Sequence, residues 1–595
     1  MASNVATSSS IWDHFTRNGT KAKCRYCYNE IAFTKGSTSN LKRHMKAKHP
    51  SISLERQHLA STTSPSTQNS EPGPSCSSRP PNLISNFFKQ PMNSETKRKL
   101  DMMLLKLICK DCLPLSIVES EAFKTFVGCL NQNYDLPTRK NVSNALLPSI
   151  YNEILVKVQG EVRNATSIAL TTDGWTNVNN TSFLGLTAHF IDNDYKLRSC
   201  LLECSEISLS HSGQNIAAWI KEVIIKYEIQ DKIVGIVTDN AANMKSAARE
   251  LEFNHVTCFA HSLHLIVKDA IKKSIISTVD EVKRIVMYFK KSPKATNELA
   301  DTQSKFNLPN LKLKQDVPTR WNSTYDMLNR FYKNKIAIVA CADKLNTLDP
   351  IKIDWAILEH SLNALKIFDV ATNMVSAEKN ITVSHVGLLS KMIIRKLNET
   401  DYTIPELGNL VTHLKEGVKK RLEIYSNNQI IAKSMLLDPR IKKQGFHEEP
   451  LKYRETYELI IQELIPFQTP SMNAQEPHNI DNEANLLLGE FITWVNNAEC
   501  EIESPIELAK NELNSFLKIR NIDIKNDPLE WWRIHSSKYP SIYALAKTII
   551  CIPGTSVPCE RLFSKAGQIY SDKRSRLHPK KFKEIIFIQQ NVDKF

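Results

Sequence analysis

The chain has 595 residues, a formal net charge of +14 and 42% hydrophobic residues. That length and apolar content suit several folded domains and exclude a chain disordered throughout. No apolar run approaches the length of a bilayer span, and the basic excess points to a polyanionic partner, either nucleic acid or an acidic surface. The polar opening MASNVATSSS lacks the apolar stretch of a secretory signal. The 13 cysteines are therefore expected in a reducing, intracellular compartment, free or metal-bound.

The first segment is basic and aromatic. Cys24-x2-Cys27-x16-His44-x4-His49 sets two thiolates and two imidazoles at the spacing of a closed tetrahedral Zn²⁺ site. The Cys pair is expected on a knuckle before a short strand in EIAFTK. The His pair is expected on a helix starting between Ser37 and Asn40, with a loosened last turn that keeps both rings on one face. So small a unit has little core, so the metal would supply most of its folding free energy. Lys42, Arg43 and the neighbouring lysines would face phosphates. From about Ser51 to Asn93 the chain is rich in Ser, Thr, Pro and Gln. It cannot bury enough apolar area to offset its entropy, and a flexible linker is expected.

Helical spacing of apolar residues starts near Lys97, is divided by Pro114, and resumes over roughly 138–158. Lys97-Arg98-Lys99 suits nuclear import or, equally, a solvated helix face. Cys109 and Cys112 have no nearby His and read as buried thiols. The period then changes to two. TSIALTTD (166–173), TSFLGLTAHFID (181–192) and KLRSCLLECSEIS (196–208) read as strands, followed by an amphipathic helix from Gly213 to Tyr227. A strand in KIVGIVTDN (232–240), a helix start in AANMKSAARE, a strand in HVTCF (255–259) and a helix over about 260–272 complete the pattern. Three strands with short connections suit an antiparallel meander, and the two later strands suit parallel additions, which is the order of an RNase H-like sheet. Asp173 is expected to end the first strand and Asp239 the fourth. Carboxylates on adjacent strand ends can bridge Mg²⁺ or Mn²⁺, or each can merely start a turn or cap a helix. From about 275 to 524 the pattern is nearly all helical, and 527–595 is dense in aromatic and apolar residues.

SSSIWDHFTR, KAKCRYC and TSNLKRHMKAKHP resemble the BED zinc finger. The resemblance makes Cys24, Cys27, His44 and His49 the zinc ligands, sets Trp12 and Phe15 at the family's aromatic pair as expected DNA contacts, and implies binding to double-stranded DNA. From about residue 97 onward, LTTDGWT, GIVTDNAANM, CFAHSLHL, DVPTRWNSTYDML and the long run WWRIHSSKYPSIYALAKTIICIPGTSVPCERLFSKAG resemble, in order, the hAT transposase superfamily. That family has an RNase H-like core interrupted by a large helical domain. The implied fold class is α/β plus an all-α insertion. The implied domains are a BED-type finger at 10–50, a linker at 51–94, a helical domain at 95–160, the first part of the core at 161–275, a helical insertion at 276–526 and a C-terminal dimerisation region at 527–595 that completes the core.

Carried over residue by residue, Asp173, Asp239 and Glu560 match the family's metal-binding catalytic acids. Arg320 and Trp321 match its insertion-domain pair near the DNA end, and His261 would touch DNA or steady the acids. From the residues alone, Trp321 is either a base-stacking aromatic or a core one. Cys258, His261 and His264 lack a fourth ligand and do not read as a zinc site. Gly554 stands where the family usually carries Ala, a departure that affects packing rather than chemistry. The resemblance implies a nuclear DNA-binding protein that forms a homodimer or a higher homo-oligomer through its C-terminal region. It admits three roles: a transposon-derived transcriptional regulator, an active transposase cutting and joining DNA, or a protein-interaction role such as the SUMO ligase activity of BED-hAT relatives.

Overall fold

The computed structural model describes residues 10–18, 21–33, 38–49, 92–177, 179–317, 320–345, 348–377, 380–399, 405–468, 489, 504–570 and 577–594. It divides into two compact units, Met1–Phe88 and Lys89–Phe595. Most of the expected linker, up to residue 91, lies outside the described residues.

In the first unit, β1 (Phe15–Asn18), β2 (Lys21–Cys24) and β3 (Glu30–Ala32) form an antiparallel sheet in that order. A helix follows at Ser39–Lys48. Ala22 and Cys24 alternate inward from β2, and Leu41 and Met45, one helical turn apart, meet them together with Ile11 and Phe15. Among the described residues six buried side chains make this core, so something besides apolar burial must hold it together.

The second unit opens with helices at Ser94–Lys110 and Glu121–Leu130, and Pro114 lies between them as its missing N–H requires. Thr138 caps the next helix by accepting from the N–H of Asn141. The expected helix over 138–158 is not continuous. Its pitch widens to a π turn over Val142–Leu146 beside Pro148, which has no N–H to donate, and regular helix then runs over Leu147–Asn164.

The central sheet has five strands, β4 (Ile168–Thr176), β5 (Ser182–Ile191), β6 (Leu197–Glu206), β7 (Ile233–Thr238) and β8 (His255–Thr257). Their order is β6-β5-β4-β7-β8. The first three pair antiparallel, and β7 and β8 add parallel on the far side of β4. The sheet is covered on both faces. Ile168 and Leu170 of β4 point into a core shared with helices Leu147–Asn164, Gly213–Tyr227 and Pro579–Asn591, whereas Ala169 points into the opposite core. That second core continues through helix Phe259–Ser274 into the long helical region, within which helix Pro405–Ser426 packs on Phe259–Ser274.

Between Thr257 and Lys594 the described residues contain helices and no strand. The chain returns to the sheet at its C-terminal part, where helix Val557–Ile569 lies on β4 and β5 and helix Pro579–Asn591 lies on β6. Gly554, just before the first of these, has no room for a side chain: a Cβ there would meet Val386 Cγ2 at 2.7 Å and the Thr382 carbonyl oxygen at 3.0 Å. Among the described residues no helix is long and apolar enough to cross a membrane.

Candidate functional site

Among the described residues, chemistry-bearing side chains gather in the first unit at the end of β2 and in the second beside β4 and β7 of the central sheet. In the first, Cys24 ends β2. Its N–H donates to the Asn29 carbonyl at 3.0 Å, and the Tyr28 N–H donates back to the Cys24 carbonyl at 3.0 Å. This knuckle requires a left-handed backbone at Tyr28 (φ 61°) and returns Cys27 beside Cys24. His44 comes from the body of the helix. His49 comes from just past its end, where the backbone has left helical values (φ −137°, ψ 57°). Cys24 Sγ lies 3.5 Å from His49 Nε2, and Cys27 Sγ lies 3.2 Å from His44 Nε2. All four ligand atoms lie within 4.8 Å of one another. Zn–S bonds of about 2.3 Å and Zn–N bonds of about 2.0–2.1 Å at tetrahedral angles demand S···N edges of about 3.5 Å. The donor set therefore fits zinc. Burial, with the nearby His49 and Lys48, lowers the His44 pKa and favours the neutral imidazole that a metal needs.

Lys42 and Arg43 are exposed on the same helix, as are Lys46 and Lys48, so this helix presents a basic surface. Phe15 is a correction. It is 2% exposed, with its ring edge-on to His44 at 5.9 Å, so it steadies a ligand ring and has no face for DNA. Trp12 is half-buried and packs edge-on to Phe33 at 4.9 Å.

In the second unit, a cleft of about 710 Å³ is lined by Asp173, Asp239 and Glu560, with His261, His264, Arg320, Arg561 and Ser564 around them. The sheet explains the first pair. Thr171 of β4 pairs in parallel with Val237 of β7, so Asp173 and Asp239, each two residues further on, fall side by side. Asp173 does not end its strand as expected. It sits inside β4, opposite Gly185 of β5, and the strand runs three residues on to Thr176 because Trp175 and Thr176 still pair with Phe183 and Ser182. Asp239 follows β7 directly and accepts from the N–H of Ala241 at 3.0 Å.

Glu560 arrives from the first turn of helix Val557–Ile569. That helix approaches closely only because position 185 is glycine: a Cβ there would meet Leu562 Cδ2 at 2.8 Å and Phe563 Cζ at 3.1 Å. Cys559, fully buried beneath Glu560, donates to the Thr171 carbonyl at 3.3 Å and ties the helix to β4. Burial raises the Asp173 pKa to about 7, aided by Asp239 and Glu560 and opposed by a hydrogen bond from the Gly174 N–H. Burial also raises Glu560, with Arg320 and His261 pulling the other way. Carboxylates this crowded form a hard-oxygen donor set whose charge a divalent cation would neutralise. Among the described residues, however, the finger ligands are the one group of His, Cys, Asp and Glu gathered closely enough to hold an ion as they stand.

Arg320 reaches the cleft and donates to Ser564 Oγ at 3.0 Å. Its neighbour Trp321 does not. Trp321 is 4% exposed within the helical core, so the stacking expectation gives way to the core one. His264 accepts the Trp321 backbone N–H at Nδ1 (3.3 Å), and burial, with the neighbouring His261 and Lys268, lowers its pKa to about 4. Cys258 is buried and caps helix Phe259–Ser274 by accepting from the His261 N–H. Sequence reasoning missed Gly185, Cys559, Arg561 and Ser564. A glycine inside an apolar strand was the one available signal.

Comparison with known families matches this arrangement piece by piece. Residues 9–50 match the BED zinc finger, 171–260 the ZBED1 RNase-like domain, 256–359 the ZBED1 RNase-like helical domain, and 512–592 the hAT family C-terminal dimerisation region. The chain is a BED-type zinc finger protein of the hAT transposase superfamily. Among individual proteins it is 27% identical to the human "Zinc finger BED domain-containing protein 4", over 99% of this chain and 52% of that protein. It is 26% identical to the "Putative AC transposase" of Zea mays, over 78% of this chain and 61% of the relative. It is 23% identical to "Zinc finger BED domain-containing protein RICESLEEPER 2" of Oryza sativa subsp. japonica, over 96% and 86%. The chain thus spans about half the length of the human relative and less than two thirds of the maize one.

Proposed function

We propose that this chain is a nuclear, dimeric DNA-binding protein in which the zinc-loaded finger grips duplex DNA. The observation that carries this reading is the closed Cys24, Cys27, His44, His49 set beside the exposed Lys42 and Arg43. Zinc would order the unit, and the basic helix would engage phosphates and the groove. The match of 512–592 to a dimerisation region supports self-association. Replacing Cys24→Ser is expected to lose bound zinc, unfold the finger and abolish specific duplex binding; binding that survives zinc loss would place recognition elsewhere.

The acid cleft favours a second reading, a transposase that cuts and joins DNA strands on an RNase H-like core. What supports it is the convergence of Asp173, Asp239 and Glu560 on one cleft with Arg320. The three acids would hold Mg²⁺ or Mn²⁺, which when bound would supply charge neutralisation for attack at a phosphodiester. Arg320 would bind the scissile phosphate through its guanidinium, and Ser564 would hold that guanidinium in place. His261, beside Glu560, would contact the strand or steady the acid. Cleavage of end-containing DNA with Mg²⁺ or Mn²⁺, abolished by Asp173→Asn, is the expected result for a transposase. Tight binding without cleavage would leave the regulatory role.

A further inference from the structure

A second cleft, of about 520 Å³, adjoins the acid cleft, and Asn373 lines both. Its wall includes His385, which is 7% exposed and has no hydrogen-bond partner at either ring nitrogen. A buried imidazole ordinarily finds partners for both, because an unsatisfied polar atom away from water is costly. The neighbouring charges do not supply them. Arg440 is committed to Asp438, with Nη2 to Oδ2 at 2.7 Å, and Asp438 also accepts from Ser384 Oγ at 2.6 Å. Burial and the Arg440 charge push the His385 pKa down to about 4, so at neutral pH it offers one N–H donor and one lone pair. The same cleft carries apolar surface from Met374 and from Ile524, which is 38% exposed, and the exposed Lys525 stands beside it.

A donor and an acceptor together, flanked by apolar side chains and by Lys525, with the lining Arg440 paired to Asp438 and the lining Asp527 accepting from the Leu529 N–H at 2.9 Å, complement a nucleobase edge, its face and its phosphate. The cleft volume suits one nucleotide. We infer that this pocket takes an unpaired nucleotide, His385 pairing with the base edge and Lys525 with the phosphate, next to the phosphate held in the acid cleft. This rests on the reading of the acid cleft as a strand-holding site.

The test uses the full zinc-loaded chain and fluorescence anisotropy with two DNAs, a blunt duplex and the same duplex with an unpaired 3′ overhang. The wild type is expected to prefer the overhang about tenfold. His385→Phe and the exposed-site variant Lys525→Ala are expected to remove the preference, and His385→Gln, which keeps a donor and an acceptor, to retain part of it. Free dAMP as competitor identifies the source: displacement of the overhang shows that the pocket takes a free nucleotide, and a preference that dAMP leaves intact shows that it takes only a strand-borne one. An absent preference, or one that survives both His385→Phe and Lys525→Ala, overturns the inference. If Arg320→Ala still weakens overhang binding in that case, the acid cleft stands and only the pocket falls. If Arg320→Ala changes nothing, the strand-holding reading fails and the pocket with it.

Discussion

Asp173 is the group whose environment makes the sharpest energetic prediction. Burial first, then the charges of Asp239 and Glu560, raise its pKa from 3.8 to about 7. Without a divalent ion, the folded chain is penalised for ionising a carboxyl that the unfolded chain ionises near pH 4. Below about pH 4 the group is protonated in both states and nothing is lost. The penalty grows between about pH 4 and 7 and levels off above. At ~1.4 kcal/mol per pH unit its ceiling is about 4 kcal/mol, shared in part with the other two acids. Asp173→Asn keeps the shape and removes the charge. An unfolding entropy near 2.1 cal/mol/K per residue, over a unit of roughly 500 residues, makes 1 kcal/mol about 1 °C. Calorimetry of the zinc-loaded chain without added magnesium should therefore find the variant melting about 1–4 °C higher at pH 8 and level with the parent near pH 4. Adding Mg²⁺ at pH 8 should raise the parent and close the gap. An offset equal at both pH values would refute the assignment of the penalty to crowded carboxylates.

Two further substitutions separate positioning from stability. Gly185→Ala pushes a methyl into Leu562 and Phe563, both buried, and should cost about 1–3 kcal/mol. If the acid cleft cuts DNA, the displaced Glu560 should lower the cleavage rate by more than the melting shift alone explains. Trp321→Ala empties a buried site and should cost about 3–5 kcal/mol, read as a lower melting temperature. DNA affinity measured where the variant is still folded should be unchanged, and a selective loss of affinity for unpaired ends would restore the stacking role.

The strands were legible because their residues alternate. Ile168, Ala169 and Leu170 of TSIALTTD go to opposite cores in turn, Leu184, Leu186, Ala188 and Phe190 of TSFLGLTAHFID share one core at a spacing of two, and the helix from Gly213 to Tyr227 announces itself by its apolar stripe. The finger ligands were legible because zinc coordination restricts spacing along the chain. Exposure was not. Phe15 is expected at the DNA and Trp321 either at the DNA or in the core, and only tertiary packing shows that each is enclosed. The end of β4 was misplaced because an acidic residue resembles a turn signal, whereas pairing of Trp175 and Thr176 with β5 carries the strand past Asp173. The second cleft could not be read at all, since Met374, His385, Arg440 and Lys525 come together only through the packing of distant helices.

Glu560 joins the sheet from a helix placed more than three hundred residues after Asp239. During synthesis, the strands bearing Asp173 and Asp239 leave the ribosome long before the third acid does. A nascent or prematurely terminated polypeptide can thus present a folded finger and two aspartates while lacking the complete trio. Whatever chemistry the cleft performs is withheld until the entire intervening helical region has been made and the returning helix has docked beside Gly185.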